Sequence, residues 1–107
     1  MIRYRVVVTP DAESDVRESF RYIHDRSPAN AERWLRQIDG EIKGLELFPE
    51  RHAFARERAY LKEDLRHLIF KSHRVVFYLD KASGTVYVLH VRHSRRLAVG
   101  EPPDEDV

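Results

Sequence analysis

The 107-residue chain has no cysteine, one methionine, one tryptophan and only four glycines. Without cysteine there is no disulfide framework and no thiolate-ligated metal, which suits a reducing compartment. No apolar run approaches the roughly eighteen residues that a membrane-spanning helix needs. The opening "MIRYRVVVTPD" shows neither the apolar core nor the small-residue cleavage site of a signal peptide. The expectation is a soluble, cytoplasmic protein with no membrane partner. Internal repeats are also absent. A chain of this length forms one domain and buries roughly 60–65% of its unfolded surface.

What is present is charge, unevenly placed. The formal net charge is +1, but residues 1–64 carry 12 Lys and Arg against 13 Asp and Glu. Residues 65–96 carry seven cations (Arg66, Lys71, Arg74, Lys81, Arg92, Arg95 and Arg96) against Asp80 alone, together with four histidines. Residues 97–107 carry four acids and no base. A local excess of positive charge attracts polyanions or an acidic partner.

Hydrophobic spacing supplies the elements. "IRYRVVV" (2–8) is β-branched and predicts a first strand. Thr9-Pro10 is a cap followed by a first-turn proline, with Asp11 and Glu13 placed to complement the helix dipole. Ala12, Val16, Phe20 and Ile23 then draw one apolar stripe. Ser27-Pro28 repeats the device and opens a second helix with Ala31, Trp34, Leu35, Ile38, Ile42 and Leu45 on one face, ending before Pro49. Gly40 and Gly44, four apart, fit either simple tolerance or a close approach of backbone. Residues 50–64 show no clean period and are expected to be a long connection with at most a helical turn. Residues 65–70, 73–80 and 85–92 read as three strands joined by "KSH" and by the glycine-containing "KASG".

The order is β-α-α-β-β-β, an α+β fold with a helical hairpin packed on one face of an antiparallel sheet. Residues 1–96 form the domain and 97–107 an acidic, flexible tail. Trp34 and Phe20 belong to the helix–sheet interface. Along 73–80, Val75, Phe77 and Leu79 point one way, and Arg74, Val76, Tyr78 and Asp80 point the other, onto a face expected to stay open.

The capped hairpin, the "LFPE" exit and "LRHLIFKSHRVVFYLD…TVYVLHVRHSRR" together resemble the RelE/ParE toxin superfamily of bacterial type II toxin–antitoxin systems over residues 2 to about 96. Arg66 in "LRHL", Arg74 in "HRVVFY" and the ending "VRHSRR" carry most of the likeness. The resemblance implies a plasmid-stabilisation toxin neutralised by a cognate antitoxin, which wraps it with an amphipathic helix and an extended segment. It implies one of two targets. ParE-like members inhibit DNA gyrase and are not nucleases; RelE-like members are ribosome-dependent, metal-independent mRNA endoribonucleases.

Cleavage at a 2′-hydroxyl needs a base, donors for developing phosphorane charge and an acid for the leaving oxygen. In a RelE-like chain Arg74 would supply the charge stabilisation and His93 the proton transfer. This sequence departs from the nuclease pattern. Ser94 follows His93 where the YoeB-like branch has tyrosine, and Lys62 is the main lysine where RelE-like members carry a lysine-rich segment. The ParE-like branch is therefore favoured, with no firm catalytic residue. The target-contact candidates are Arg66, Arg74, Tyr78, His93, Arg95 and Arg96. No cofactor is implied. No metal is implied either, since His90 and His93, three apart on a strand, face opposite sides.

Overall fold

A computed structural model describes residues 2–61 and 63–93. Strand β1 spans Arg5–Val8, shorter than the sequence suggests because Arg3 makes only an isolated bridge to Leu47. Helix α1 spans Pro10–His24 and helix α2 Pro28–Lys43. Both begin as expected. The Thr9 hydroxyl accepts from the Ala12 amide at 3.3 Å and the Ser27 hydroxyl from the Asn30 amide at 3.3 Å, each satisfying an otherwise orphaned first-turn donor. Single 3₁₀ turns follow at Gly44–Glu46 and Pro49–Arg51, and a one-turn helix α3 lies at Arg58–Leu61. Strands β2 (Leu65–Phe70), β3 (His73–Asp80) and β4 (Thr85–His93) complete the chain.

The four strands lie in the order β1-β4-β3-β2. The two hairpins β2–β3 and β3–β4 are antiparallel, while β1 joins the outer side of β4 in parallel, Arg5 facing Thr85 and Val8 facing Val88. The sheet is thus mostly antiparallel with one parallel edge. Beyond Val8 the edge of β4 is sealed from α1, where the Asp15 carboxylate accepts from the Val91 amide at 3.0 Å and meets His90 Nδ1 at 3.3 Å. A polar group on an exposed edge discourages pairing with another chain.

The two helices cover one sheet face. Ile38, Ile42, Leu45 and Trp34 meet Val75, Phe77, Leu79, Val86, Val88 and Val91, with Phe20 packed against the same core. Val86, Val88 and Val91 are out of step by one residue because a bulge opposite Val76 and Phe77 leaves Leu89 unpaired. The extra residue returns Val91 to the core face. Added Cβ atoms at Gly40 or Gly44 would meet nothing within 4 Å, so these glycines serve no close helix contact.

Residues 53–58 correct the expectation of an open second face. They run as a strap along the free side of β2, with the Ala55 amide donating to the Leu65 carbonyl at 2.9 Å and the His67 amide donating to the Ala53 carbonyl at 3.1 Å. Ala55 packs on Leu65 and Val76, with Tyr78 and Leu89 alongside, making a second, smaller core. Among the described residues, no helix is long and apolar enough to cross a membrane, and no group of three or more His, Asp or Glu is placed to hold a metal ion.

Candidate functional site

Two of the expected contact arginines hold the strap in place. Arg74 lies on the second face because β3 alternates, and there it meets Glu57, which the strap carries inward. Its guanidinium donates from Nη1 to Glu57 Oε1 at 3.1 Å and from Nη2 to Oε2 at 2.9 Å, a planar two-pronged fit. Arg74 is 3% exposed and Glu57 1%. Arg92 stands directly across the sheet from Arg74, and two like charges in register repel, so Glu57 also offsets that repulsion. His67 Nδ1 lies 3.4 Å from Arg74 Nη1. Arg66 holds the other end, donating to the Glu50 carbonyl at 3.0 Å, the His52 carbonyl at 2.9 Å and Asp64 Oδ1 at 3.0 Å. The same guanidinium sits 4.4 Å from the centre of the Phe54 ring.

Arg74 was expected on an accessible surface; the strap encloses it instead. Nothing periodic in "ERHAFARERAYLKED" distinguishes Glu57 from its exposed neighbours. Its role depends on a partner seventeen residues away.

His93 occupies the other side of the sheet. It pairs across the ladder with His73, the imidazole rings 5.6 Å apart, and His73 lies 5.2 Å from the Trp34 ring of α2. Arg74 and His93 therefore sit on opposite faces, and the structure does not bring together the pair that a RelE-like reaction would use. Tyr78 remains partly accessible on the strap face, stacked with Tyr87 at 6.2 Å. Its phenol is raised above its ordinary pKa by partial desolvation and then by nearby carboxylates headed by Asp80. Arg95 and Arg96, with Lys62 and the acidic segment 97–107, lie outside the described residues.

Two histidines along the strap favour the neutral form. Burial is the main cause at His67, followed by the charge of Arg74; at His52 burial leads and Arg51 adds to it. A depressed folded-state pKa means that the unfolded chain binds protons first. Stability from these groups is complete above the unfolded value of 6.5 and declines as pH falls through the folded value. Thermal melts are expected to show Tm falling from pH 7.5 to pH 5.5, with a smaller fall in His67→Gln. A Tm that rises over this interval would contradict the assignment.

Helical hairpin, mixed sheet and strap define a small α+β protein in which Arg74 and His93 stand on opposite faces of the sheet. The same fold occurs in the chromosomal ParDE toxin–antitoxin system from P. aeruginosa, with a TM-score of 0.71 and 14% identity, covering 87% of this chain and 98% of that one. It also occurs in the toxin–antitoxin complex RelBE2 from Mycobacterium tuberculosis, with a TM-score of 0.61 and 25% identity, covering 87% of this chain and 93% of that one. No curated protein matches the sequence. The family described as ParE toxin of type II toxin-antitoxin system, parDE, matches residues 6–98, and the chain belongs to that family.

Proposed function

We propose that this toxin acts in the cytoplasm by binding DNA gyrase and blocking it, and that a cognate antitoxin neutralises it. The separation of Arg74 from His93 carries this reading. A ribonuclease needs charge stabilisation and a proton-transfer group at one scissile phosphate. Here the guanidinium is enclosed against Glu57 on one face and the imidazole stands on the other. An inhibitor that works through its surface has no such requirement. His93, with Arg95 and Arg96 beyond it in sequence, forms the target contact on this reading, and guanidinium groups there suit carboxylates or phosphates.

An antitoxin partner is supported by the two solved relatives, both toxin–antitoxin systems. It is also supported by a groove at the helices lined by Val8, Val16, Leu35, Ile38 and Ile42, with Glu13, Arg17 and Asp39 beside them. A groove of this kind suits the apolar stripe of an amphipathic helix.

Purified protein assayed in gyrase supercoiling, beside mRNA cleavage on programmed ribosomes, tests the target. Inhibition of supercoiling with intact mRNA is expected. Site-specific cleavage without any effect on gyrase would overturn the reading.

A further inference from the structure

We propose that the strap presents Phe54 and Arg58 as a second contact with the target, made to a short acidic patch of the target protein, an inference that rests on the gyrase reading above. Glu57 turns inward to Arg74, while its neighbours in sequence face solvent. Phe54 is 49% exposed, and Arg56 and Arg58 are exposed as well. Residues 51–61 hold three arginines and one acid, Glu57, whose carboxylate is enclosed against Arg74. The accessible charge of this stretch is therefore positive.

Three observations make this surface a contact rather than a solvated loop. The Arg58 guanidinium lies 4.1 Å from the centre of the Phe54 ring and the Arg66 guanidinium 4.4 Å. A group in the ring plane could not come so near, and two could not share one face, so Phe54 stands clamped between them. Stacking uses the flat face of Arg58 and leaves its in-plane N–H fork to meet a carboxylate. Second, the clamp is fastened on both sides. Arg66 holds the Glu50 and His52 carbonyls, the Ala55 amide is bonded to Leu65, and Glu57 is paired with Arg74. Little freedom is then left to lose on binding. Third, an exposed aromatic ring beside arginine has the composition of an interface hot spot.

Charge and ring geometry select the partner. Exposed carboxylates, Glu50 and Glu63, flank the positive stretch in sequence, so it is short and suits one or two carboxylates rather than a long polyanion. A nucleic-acid backbone laid along the strap would meet those acids. Neither face of the Phe54 ring is open for a base to stack on, which removes the usual platform for a single strand. An acidic patch on a folded protein has neither difficulty.

The test is the concentration of the full chain that half-inhibits gyrase supercoiling. Arg58→Glu and Phe54→Ala are each expected to raise it about tenfold. Arg36→Glu, the same change of charge at an exposed position of α2, is expected to leave it near that of the parent. Circular-dichroism melts establish folding; Arg58 is exposed, so Arg58→Glu carries the test even where Phe54→Ala melts early. Inhibition like the parent's by folded Arg58→Glu, or an equal loss in Arg36→Glu, would overturn the inference while leaving the gyrase reading intact. A melt lowered by more than about 8 °C in Arg58→Glu, more than a kilocalorie or so in a domain of this size, would show the clamp to be structural and would overturn it too. No inhibition by the parent chain would overturn both readings. If a ten-residue oligothymidylate binds the parent and loses affinity in Arg58→Glu, the strap is a nucleic-acid surface and the inference falls.

Discussion

Glu57→Gln is expected to destabilise the fold by about 3–5 kcal/mol, since removing one charge of a buried pair leaves the other without a counter-ion. With a Tm sensitivity of roughly 4 °C or more per kcal/mol in a domain of this size, the melting temperature should fall by about 12–20 °C. Amide geometry can keep one hydrogen bond to Arg74, so shape is nearly unchanged. The loss is electrostatic. Water cannot relieve it, because Arg74 is buried and already faces Arg92 across the ladder. Replacing both partners, as in Glu57→Leu with Arg74→Met, is expected to recover most of the loss, because the well-packed apolar pair no longer requires two ions to leave water. Circular-dichroism melts of the single and double variants measure both effects. A loss in the double variant equal to the sum of the losses in Glu57→Leu and Arg74→Met alone would show that Glu57 and Arg74 are not coupled.

Phe77→Ala is expected to cost about 3–5 kcal/mol. Phe77 is fully buried in the centre of β3, facing Val88 on one neighbouring strand and Arg66 on the other. Its ring also receives the edge of His52 at 5.9 Å. Layers on both sides are anchored by regular secondary structure and cannot collapse into the space, so the cavity persists and the packing is lost outright. Ile69→Ala, on the same sheet but largely exposed, should change stability by no more than about 0.5 kcal/mol. Denaturant titration of both variants checks the contrast. Similar midpoints for the two would mean that the core is centred elsewhere.

Most of the fold was legible because its signals are local. Thr9-Pro10 and Ser27-Pro28 mark helix starts through hydrogen bonds made within three residues, and the alternation of Val75, Phe77 and Leu79 identifies a core face without reference to any other strand. Membership of the ParE toxin family was legible for a related reason, since the order and spacing of the capped hairpin and terminal strands survive in the linear chain. Other features were hidden by distance. The parallel pairing of Arg5–Val8 with Thr85–Val88 joins the two ends of the fold, and no local spacing encodes it. The bulge left a faint trace in the three-residue step from Val88 to Val91, but the step acquires meaning only against β3.

The candidate site was less legible than the fold. Arg66 and Arg74 were expected to contact a target, yet both bond to the connection before β2, a segment whose composition is that of a solvated loop. A charged residue is buried only where a counter-charge awaits it, and whether Glu57 meets Arg74 depends on the path of residues 53–58 across the sheet edge. The strap's own backbone bonds to Leu65 and His67 determine that path. The clamp on Phe54 was hidden likewise, since it joins Arg58 of α3 to Arg66 of β2.

If Arg74 is a fastening for the strap, its chemistry is dispensable once the strap is held by other means. The most direct measurement is gyrase supercoiling in the presence of the Glu57→Leu, Arg74→Met double variant, after melts have established that it is folded. Undiminished inhibition is the predicted result. A folded double variant that no longer inhibits, while the parent chain does, would contradict the account and return Arg74 to the functional surface.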